Sequence, residues 1–386
     1  MESKKLFLLD AYALIYRAYY ALIQSPRFSS KGFNTSAIFG FVNTLQDLLK
    51  KENPTHIAVC FDPSGPTFRH EAYEKYKAER EETPEDIKKS IPYIKDIIRA
   101  YRIPIIEVPG YEADDVIGTL AKVFESKGYT TYMMTPDKDF GQLVTDNIKI
   151  YKPGFRGGEF EIRGVKEVCA KYELDTPLQV IDILALMGDK VDNIPGCPGV
   201  GNVTAVKLIK EFHSVENLLE NTDKLKGALK VKVETNAEEI KFSKFLATIK
   251  TDVPVEFDEE SFLREDIDEE ALKKVFEELE FRSLISRLIT KREAKTDEKV
   301  EVPTNNRTSM QPSLFDDFGD LPVEISVNKI IIDSSETKYS IISDLKGLKE
   351  FADKAKSFSQ IGYYILADGT DAMTAKWVGT AFSAFA

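Results

Sequence analysis

Histidine and cysteine are scarce in this 386-residue chain, three of each, and there is one tryptophan. Cys60, Cys169 and Cys197 are odd in number and none sits in a CxxC pair, so neither a disulfide framework nor a zinc ribbon underlies the fold. His56, His70 and His213 stand far apart, which excludes an HExxH-type ligand set. There is no GxSxG elbow and no His beside a nucleophile, so no Ser/His/Asp triad competes for the chemistry. Long apolar runs are also missing: none approaches the length that spans a bilayer, and the opening MESKKLFLLDAYALIY lacks a signal-peptide cleavage region. A cytoplasmic, monomeric protein without membrane attachment is expected.

Positive charge is not in excess either. Lys and Arg number 52 against 64 Asp and Glu, a net charge of −12 that by itself argues against nucleic acid. The signs are segregated, however. DEESFLREDIDEEALKKVFEELE (258–280) holds much of the acid, whereas KLKGALKVKV (224–233) carries Lys224, Lys226, Lys230 and Lys232 with no acid at all. KKSIPYIKDIIRAYR (88–102) has five basic residues against Asp96 alone. These patches permit phosphate contacts, although a solvated helix face explains either one as well. The rest of the composition, 42% hydrophobic and 30% charged, is that of an ordinary globular chain long enough for two domains or three pieces.

The first half alternates short apolar runs with helical patterns, the signature of a parallel sheet covered by helices. LFLLD (6–10), HIAVCFD (56–62), IPIIEV (103–108) and YTTYMM (129–134) are the strand candidates. A helix over 36–51 with Ser36 as N-cap, a long helical stretch up to about Arg102, and a helix over roughly 112–127 lie between them. Each strand runs into acid. Asp10 ends the first and Asp62 the second; Glu112, Asp114 and Asp115 follow the third, and Asp137 and Asp139 the fourth. Ligands of open parallel sheets bind outside the carboxyl ends of the strands, so four separate segments would deliver carboxylates to one edge.

Carboxylates gathered within a few ångströms cannot all stay ionised unless cations neutralise them. Hard oxygen ligands without Cys or His suit Mg²⁺ or Mn²⁺. With this many acids two ions are expected, about 3.5–4 Å apart as in phosphodiester-cleaving sites, one activating water and the other stabilising the leaving oxygen. For any single cluster the alternative is a helix start that is acidic because the helix dipole favours it. That alternative does not explain four strand ends together with Asp189 and Asp192.

The segment 174–212 reads as helix, acidic turn, glycine-rich loop, helix. In IPGCPGVGNVTA (194–205), Gly196, Gly199 and Gly201 precede the helix VTAVKLIKEF, but the segment before the loop has helical rather than strand spacing, which speaks against a dinucleotide loop. A helix–hairpin–helix fits better: glycines let backbone amides approach a DNA phosphate, and the next helix points its N-terminus at the anion. A helix–turn–helix without ligand is the plainer alternative. Residues 291–322 are polar, aperiodic and rich in turn residues, a linker. From Val323 a new alternation begins and stops after a strand-like run, which reads as the opening of a domain cut short.

Five ordered motifs, LFLLDAYALIYRAYYAL, FRHEAYEKYKAER, GYEADDVIG, TPDKDFGQL and GDKVDNIPGCPGVG, make residues 5–290 resemble the 5′–3′ exonuclease domain of bacterial DNA polymerase I, in the flap-endonuclease family. The resemblance implies an α/β fold with a PIN-like parallel sheet flanked by helices (1–175) and a helical helix–three-turn–helix DNA-binding region (176–290). It further implies two divalent metals and cleavage of 5′ flaps or RNA-primed 5′ ends. Asp10, Asp62, Glu112, Asp114, Asp115, Asp137, Asp139, Asp189 and Asp192 would be metal ligands or their support. Arg69, Tyr76, Lys77 and Arg80 resemble the family's arch, which threads a single-stranded end. Lys77 and Arg80 would hold phosphates in catalysis and Tyr76 would stack on a base. Tyr16 and Arg17 would contact DNA as well, and Lys207 would grip the duplex beside the glycine loop, where the family often binds a monovalent cation such as K⁺.

Three departures stand out. The first strand runs into Asp10-Ala11-Tyr12-Ala13 in place of a D-G-x-S turn. The helix after the loop opens Asn202-Val203-Thr204-Ala205, with Val203 at a position where a lysine is usual. Residues 323–386 resemble the start of a 3′–5′ exonuclease-like α/β domain, but Tyr364 and Leu366 stand near the place of its acidic pair, which implies a site without metal ligands. In the linker, QPSLF resembles a sliding-clamp docking pentapeptide, with Gln311, Leu314 and Phe315 as its anchors. The expected activity is a metal-dependent, structure-specific 5′ nuclease, as the N-terminal part of such a polymerase. The alternatives are a PIN-type ribonuclease and a DNA-binding module without catalysis.

Overall fold

The computed structural model describes residues 4–154, 160–287, 349–353, 360–367 and 377–385. Strand β1 (Lys5–Asp10) is apolar at every position but its ends and is buried on both faces, as a central parallel strand must be. Helix α1 (Ala11–Ala21) follows with no loop, because Asp10 is at once the last strand residue and the N-cap. Helix α2 (Ser36–Glu52) is preceded by Thr35 as N-cap; Ser36, expected there, lies inside the helix and its hydroxyl accepts the Arg27 N–H at 2.9 Å.

Strand β2 (His56–Cys60) leads into two helices, α3 (Phe68–Ala72) and α4 (Glu85–Ala100), where one long stretch was expected. Between them Lys77 takes a left-handed backbone, φ +56°. Strand β3 is only Ile105–Ile106, helix α5 spans Ala113–Ser126, and β4 spans Thr130–Met134. Strands β5 (Ile148–Lys152) and β6 (Glu161–Arg163) were not foreseen; IKIYK and EIR are short, and lysine, arginine and glutamate interrupt their apolar positions. The chain continues through α6 (Val165–Tyr172), α7 (Val180–Met187), α8 (Asn202–Phe212), α9 (Val215–Glu220), α10 (Gly227–Thr235), α11 (Ala237–Ala247) and α12 (Glu269–Glu278).

The sheet order is β3-β2-β1-β4-β5-β6, parallel except for the β5–β6 pair. Connections run one way from β1 to β2 and β3, and the other way to β4 and β5. The carboxyl end of β1 is therefore the topological switch point, where the crevice of such a sheet opens. Alternation along β1 sends Leu6 and Leu8 to one face and Phe7 and Leu9 to the other. Leu6 and Leu8 join Val116, Leu120 and Phe124 of α5 in an apolar cluster that continues unbroken through Leu184, Leu208, Ile209 and Leu246 of the helical region. Apolar packing thus runs across the border expected at 175/176. Phe7 and Leu9 face α1, α2, α4 and α12, so the chain returns across the opposite face after leaving the helical region.

The chain divides into two compact units, Met1–Phe318 and Gly319–Ala386. In the second, β7 (Gln360–Ala367) pairs antiparallel with β8 (Trp377–Phe385); Tyr364 and Leu366 lie on β7. Gln311, Leu314 and Phe315 lie outside the described residues. No helix among the described residues is long and apolar enough to cross a membrane.

Candidate active site

The switch point collects the acids. Asp10, at the end of β1, accepts the Ala13 N–H on Oδ1 at 3.1 Å and the buried Thr135 hydroxyl on Oδ2 at 3.0 Å. Asp62, two residues past β2, accepts the Ala113 N–H at 2.8 Å and so fixes the start of α5. Beyond β4, Asp137 accepts the Asp139 N–H at 2.9 Å. Asp139 itself keeps a buried Oδ1 that has no hydrogen-bond partner.

Their electrostatics agree with this crowding. Burial, then the charges of Asp62 and Asp137, push Asp10 up to about 7. Asp62 is raised by burial, with the Glu112 charge adding to it. Asp114 is raised well above the usual range by burial and by Asp10, Asp137 and Asp62; Asp139 likewise by burial and by Asp137, Asp189 and Asp192. Asp137 is raised by burial and the Asp192 charge. Asp10, Asp62, Asp114, Asp137 and Asp139 therefore lie within reach of neighbouring carboxylate charges, those of Asp189 and Asp192 among them. The sequence expectation of one acidic edge holds for them.

A raised carboxylate binds protons more tightly folded than unfolded, so stability must fall as pH rises between the two pKa values. For Asp10 that window runs from 3.8 to about 7. The melting temperature in EDTA is expected to fall from about pH 4 to about pH 7, and saturating Mg²⁺ to flatten the fall by compensating the charges. A melting temperature in EDTA that does not decline over that range would contradict the mutual repulsion.

Not every expected ligand is free. Asp115, with no exposed side-chain surface, is held bidentately by Arg69 at 2.7 and 2.9 Å and accepts the Lys250 N–H at 2.8 Å. It anchors the start of α5 to Arg69 and to the backbone at Lys250. Arg69, expected at DNA, is 2% exposed and also donates to Glu112 at 3.3 Å and to the Leu246 and Thr248 carbonyls, both at 2.8 Å. Burial opposes its charge, but the Asp115 hydrogen bonds and the Asp115 and Glu112 charges hold it protonated. Tyr76, expected to stack on a base, is 3% exposed and donates its hydroxyl to Glu112 at 3.1 Å. Both corrections share one cause: the buried α5 start is rich in negative charge, which Arg69 neutralises and the neutral Tyr76 hydroxyl hydrogen-bonds.

Lys77 and Arg80 also face the acids. Lys77 reaches Glu112 at 2.7 Å and Asp192 at 3.9 Å, its N–H donates to the Asp192 carbonyl at 3.0 Å, and Arg80 pairs with the Asp192 carboxylate. Burial works to raise Glu112, but the Lys77 and Arg69 charges outweigh it and hold the carboxyl below its usual range. Asp189 accepts the Val191 N–H at 2.8 Å and pairs with Lys138 at 3.5 Å. No three Asp, Glu, His or Cys side chains among the described residues form a closed ligand cluster.

The glycine loop departs from expectation at its first glycine. Gly196 (φ +64°) is buried and its N–H donates to Ser243 Oγ at 2.9 Å, so it is not offered to a phosphate. A Cβ there would lie 2.4 Å from Gly188 N, and one on Gly188 (φ +72°) 2.5 Å from the Ile194 carbonyl: this pair closes the loop on itself. Gly199 and Gly201 are exposed, as are Val203 and Lys207 on α8. Tyr16 donates to Thr83 at 2.8 Å, and Arg17 donates to the Pro153 and Gly154 carbonyls. Sequence reasoning missed Thr135, Lys138 and Gln142. Lys138 stands inside the TPDKD motif and was legible there. Gln142 joins the turn after Asp139 to the Ala247 carbonyl (3.0 Å) and the Ile249 N–H (2.9 Å), partners that no local pattern reveals.

An open sheet with carboxylates at its switch point, continued by a helical unit with a glycine loop, is an architecture that solved structures share. A bacteriophage T5 flap endonuclease in complex with DNA and metal ions superposes with a TM-score of 0.54 at 21% identity, over 72% of this chain and 99% of that one. The T5 5′-exonuclease with bound divalent metal ions gives 0.54 at 22% identity, over 64% and 90%. At these identities the likeness is one of fold. The chain belongs to the 5′–3′ exonuclease family. Its N-terminal resolvase-like domain model matches residues 5–173 and its C-terminal SAM fold model residues 175–270. The 5′–3′ exonuclease of Aquifex aeolicus is 39% identical over 73% of this chain and 94% of that protein. DNA polymerase I of Bacillus subtilis is 43% identical over 78% of this chain but only 34% of its own length. The chain thus spans about a third of the length of the polymerase relatives it matches.

Proposed function

We propose that the chain hydrolyses phosphodiesters at 5′ flaps and RNA-primed 5′ ends of DNA, with Mg²⁺ or Mn²⁺ as cofactor, as the 5′ nuclease part of a DNA polymerase I. The observation that carries this reading is the buried, unpartnered Asp139 Oδ1 among carboxylates that raise one another. An orphaned buried oxygen in an all-carboxylate site fits a hard divalent ion. Asp10, Asp62, Asp114, Asp137 and Asp139 would hold two ions, with Asp189, Asp192 and Glu112 completing the set. When bound, they supply Lewis-acid stabilisation of the charge that develops on the phosphodiester.

The chain's own residues do the rest. Thr135 and the Ala13 N–H orient Asp10, and the Ala113 N–H orients Asp62, so these carboxylates are preorganised rather than free to swing. Lys77 and Arg80, paired with Glu112 and Asp192 at the same edge, would offer cations to the scissile phosphate. The exposed α8 start at Gly201 and Lys207 hold duplex phosphate without reading sequence. Gln311, Leu314 and Phe315 are proposed clamp anchors, and K⁺ a proposed ligand of the glycine loop, on the sequence resemblance alone.

A 5′-labelled flap DNA incubated with the chain and Mg²⁺ should be cut near the flap junction, with EDTA abolishing cleavage. Absence of cleavage in both Mg²⁺ and Mn²⁺, or equal cleavage in EDTA, would refute the proposal. Faster turnover of plain RNA than of DNA flaps would instead mark a ribonuclease.

A further inference from the structure

Lys138 has no role in the chemistry described so far. It lies between Asp137 and Asp139, past β4, and its side chain is 40% exposed. Its ion pair with Asp189 is loose, at 3.5 Å, and Asp139, Tyr172 and Asp137 lie within reach of its charge. Lys77, by contrast, pairs with Glu112 beyond β3, so the two lysines stand on either side of β1 in the sheet order. A polyanion can approach this edge only where cations offset its acids. If metal takes the Asp189 and Asp139 carboxylates, Lys138 loses its partners there and its four-carbon stem can turn to solvent.

We propose that Lys138 is a substrate-binding residue that holds a DNA phosphate on the β4 side of the scissile bond, complementing Lys77 and Arg80 on the β3 side. The assignment rests on the nuclease reading. It makes Lys138 a contact of the non-reacting backbone, which fixes register and carries no sequence preference.

The test compares the chain with Lys138→Ala and Lys138→Arg in Mg²⁺ across a KCl series. Cleavage kinetics are read on a flap DNA, and binding by fluorescence anisotropy on a flap with non-hydrolysable linkages at the junction. Lys138→Ala should raise KM and the dissociation constant about tenfold, the size of one charge-assisted contact, with kcat lowered no more than about twofold. The slope of log K against log salt should become shallower by roughly 0.7–0.9, one phosphate contact. Lys138→Arg should restore both. An unchanged salt slope, or a fall in kcat at constant KM with a higher Mg²⁺ requirement, would overturn the proposal and assign Lys138 to the support of Asp189. Because the slope is read from binding, it decides the matter even if the unmodified chain cuts no flap, a result that would sink the nuclease reading separately.

Discussion

Replacing Asp139 by Asn should reduce flap cleavage on the order of 10³-fold while raising the melting temperature of the metal-free protein. The two effects have one origin. Asp139 is raised by burial first and then by Asp137, Asp189 and Asp192, so in the absence of metal its charge is a cost to folding. Asn keeps the shape and removes the charge, which relieves that cost. The same change removes a hard anionic donor, and the Lewis-acid contribution it anchors is worth several kcal/mol, or roughly 10³ in rate. Melts in EDTA and in Mg²⁺ should therefore cross: the variant is the more stable without metal, and it gains less on metal addition. If Asp139 served only as a local cap for the turn that follows, Asp139→Asn would melt lower in EDTA and keep its activity.

Arg69→Ala is expected to be the most damaging single change outside the acidic edge. Its guanidinium joins α3 to Asp115 and Glu112 of the α5 start and to two carbonyls at the end of α11, with side-chain exposures of 3% for Arg69 and 0% for Asp115. Removing it strands the Asp115 charge in the interior, a loss of about 3–5 kcal/mol. For a unit of this size that lowers the melting temperature on the order of 10 °C. Arg69→Lys should rescue little, since a point charge cannot reproduce the bidentate pairing. Combining Arg69→Met with Asp115→Asn should recover part of the loss by removing the stranded charge. Thermal melts of the single and double variants decide it. A single variant within about 1 kcal/mol of the parent, combined with weaker DNA binding, would restore Arg69 to the DNA-contact role its motif suggested.

Where the sequence led correctly, the reason is topological. A parallel strand ends at the same edge as its neighbours, so an acid closing each apolar run is enough to place Asp10, Asp62, Asp114, Asp137 and Asp139 together without any knowledge of side-chain contacts. The apolar runs themselves marked β1 and β2, whose burial on both faces leaves an almost unmixed hydrophobic signal, and β-branched and aromatic residues marked the half-buried β4, whereas β5 and β6 carry polar residues at the sheet's far end and gave none.

Only the tertiary structure decided what each charge does. GYEADDVIG offers three carboxylates of equal standing, yet Asp115 is closed off by Arg69 from 46 residues away, Glu112 is shared among Arg69, Tyr76 and Lys77, and Asp114 alone turns its repulsion on the acids of β1 and β4. The same holds at Gly196, whose close approach is to Gly188 of its own chain. Periodicity and strand ends are properties of local backbone geometry and can be read from order in the chain. The choice between a neutralised carboxylate and a metal-ready one depends on which distant cation is buried beside it, and no spacing in the sequence encodes that.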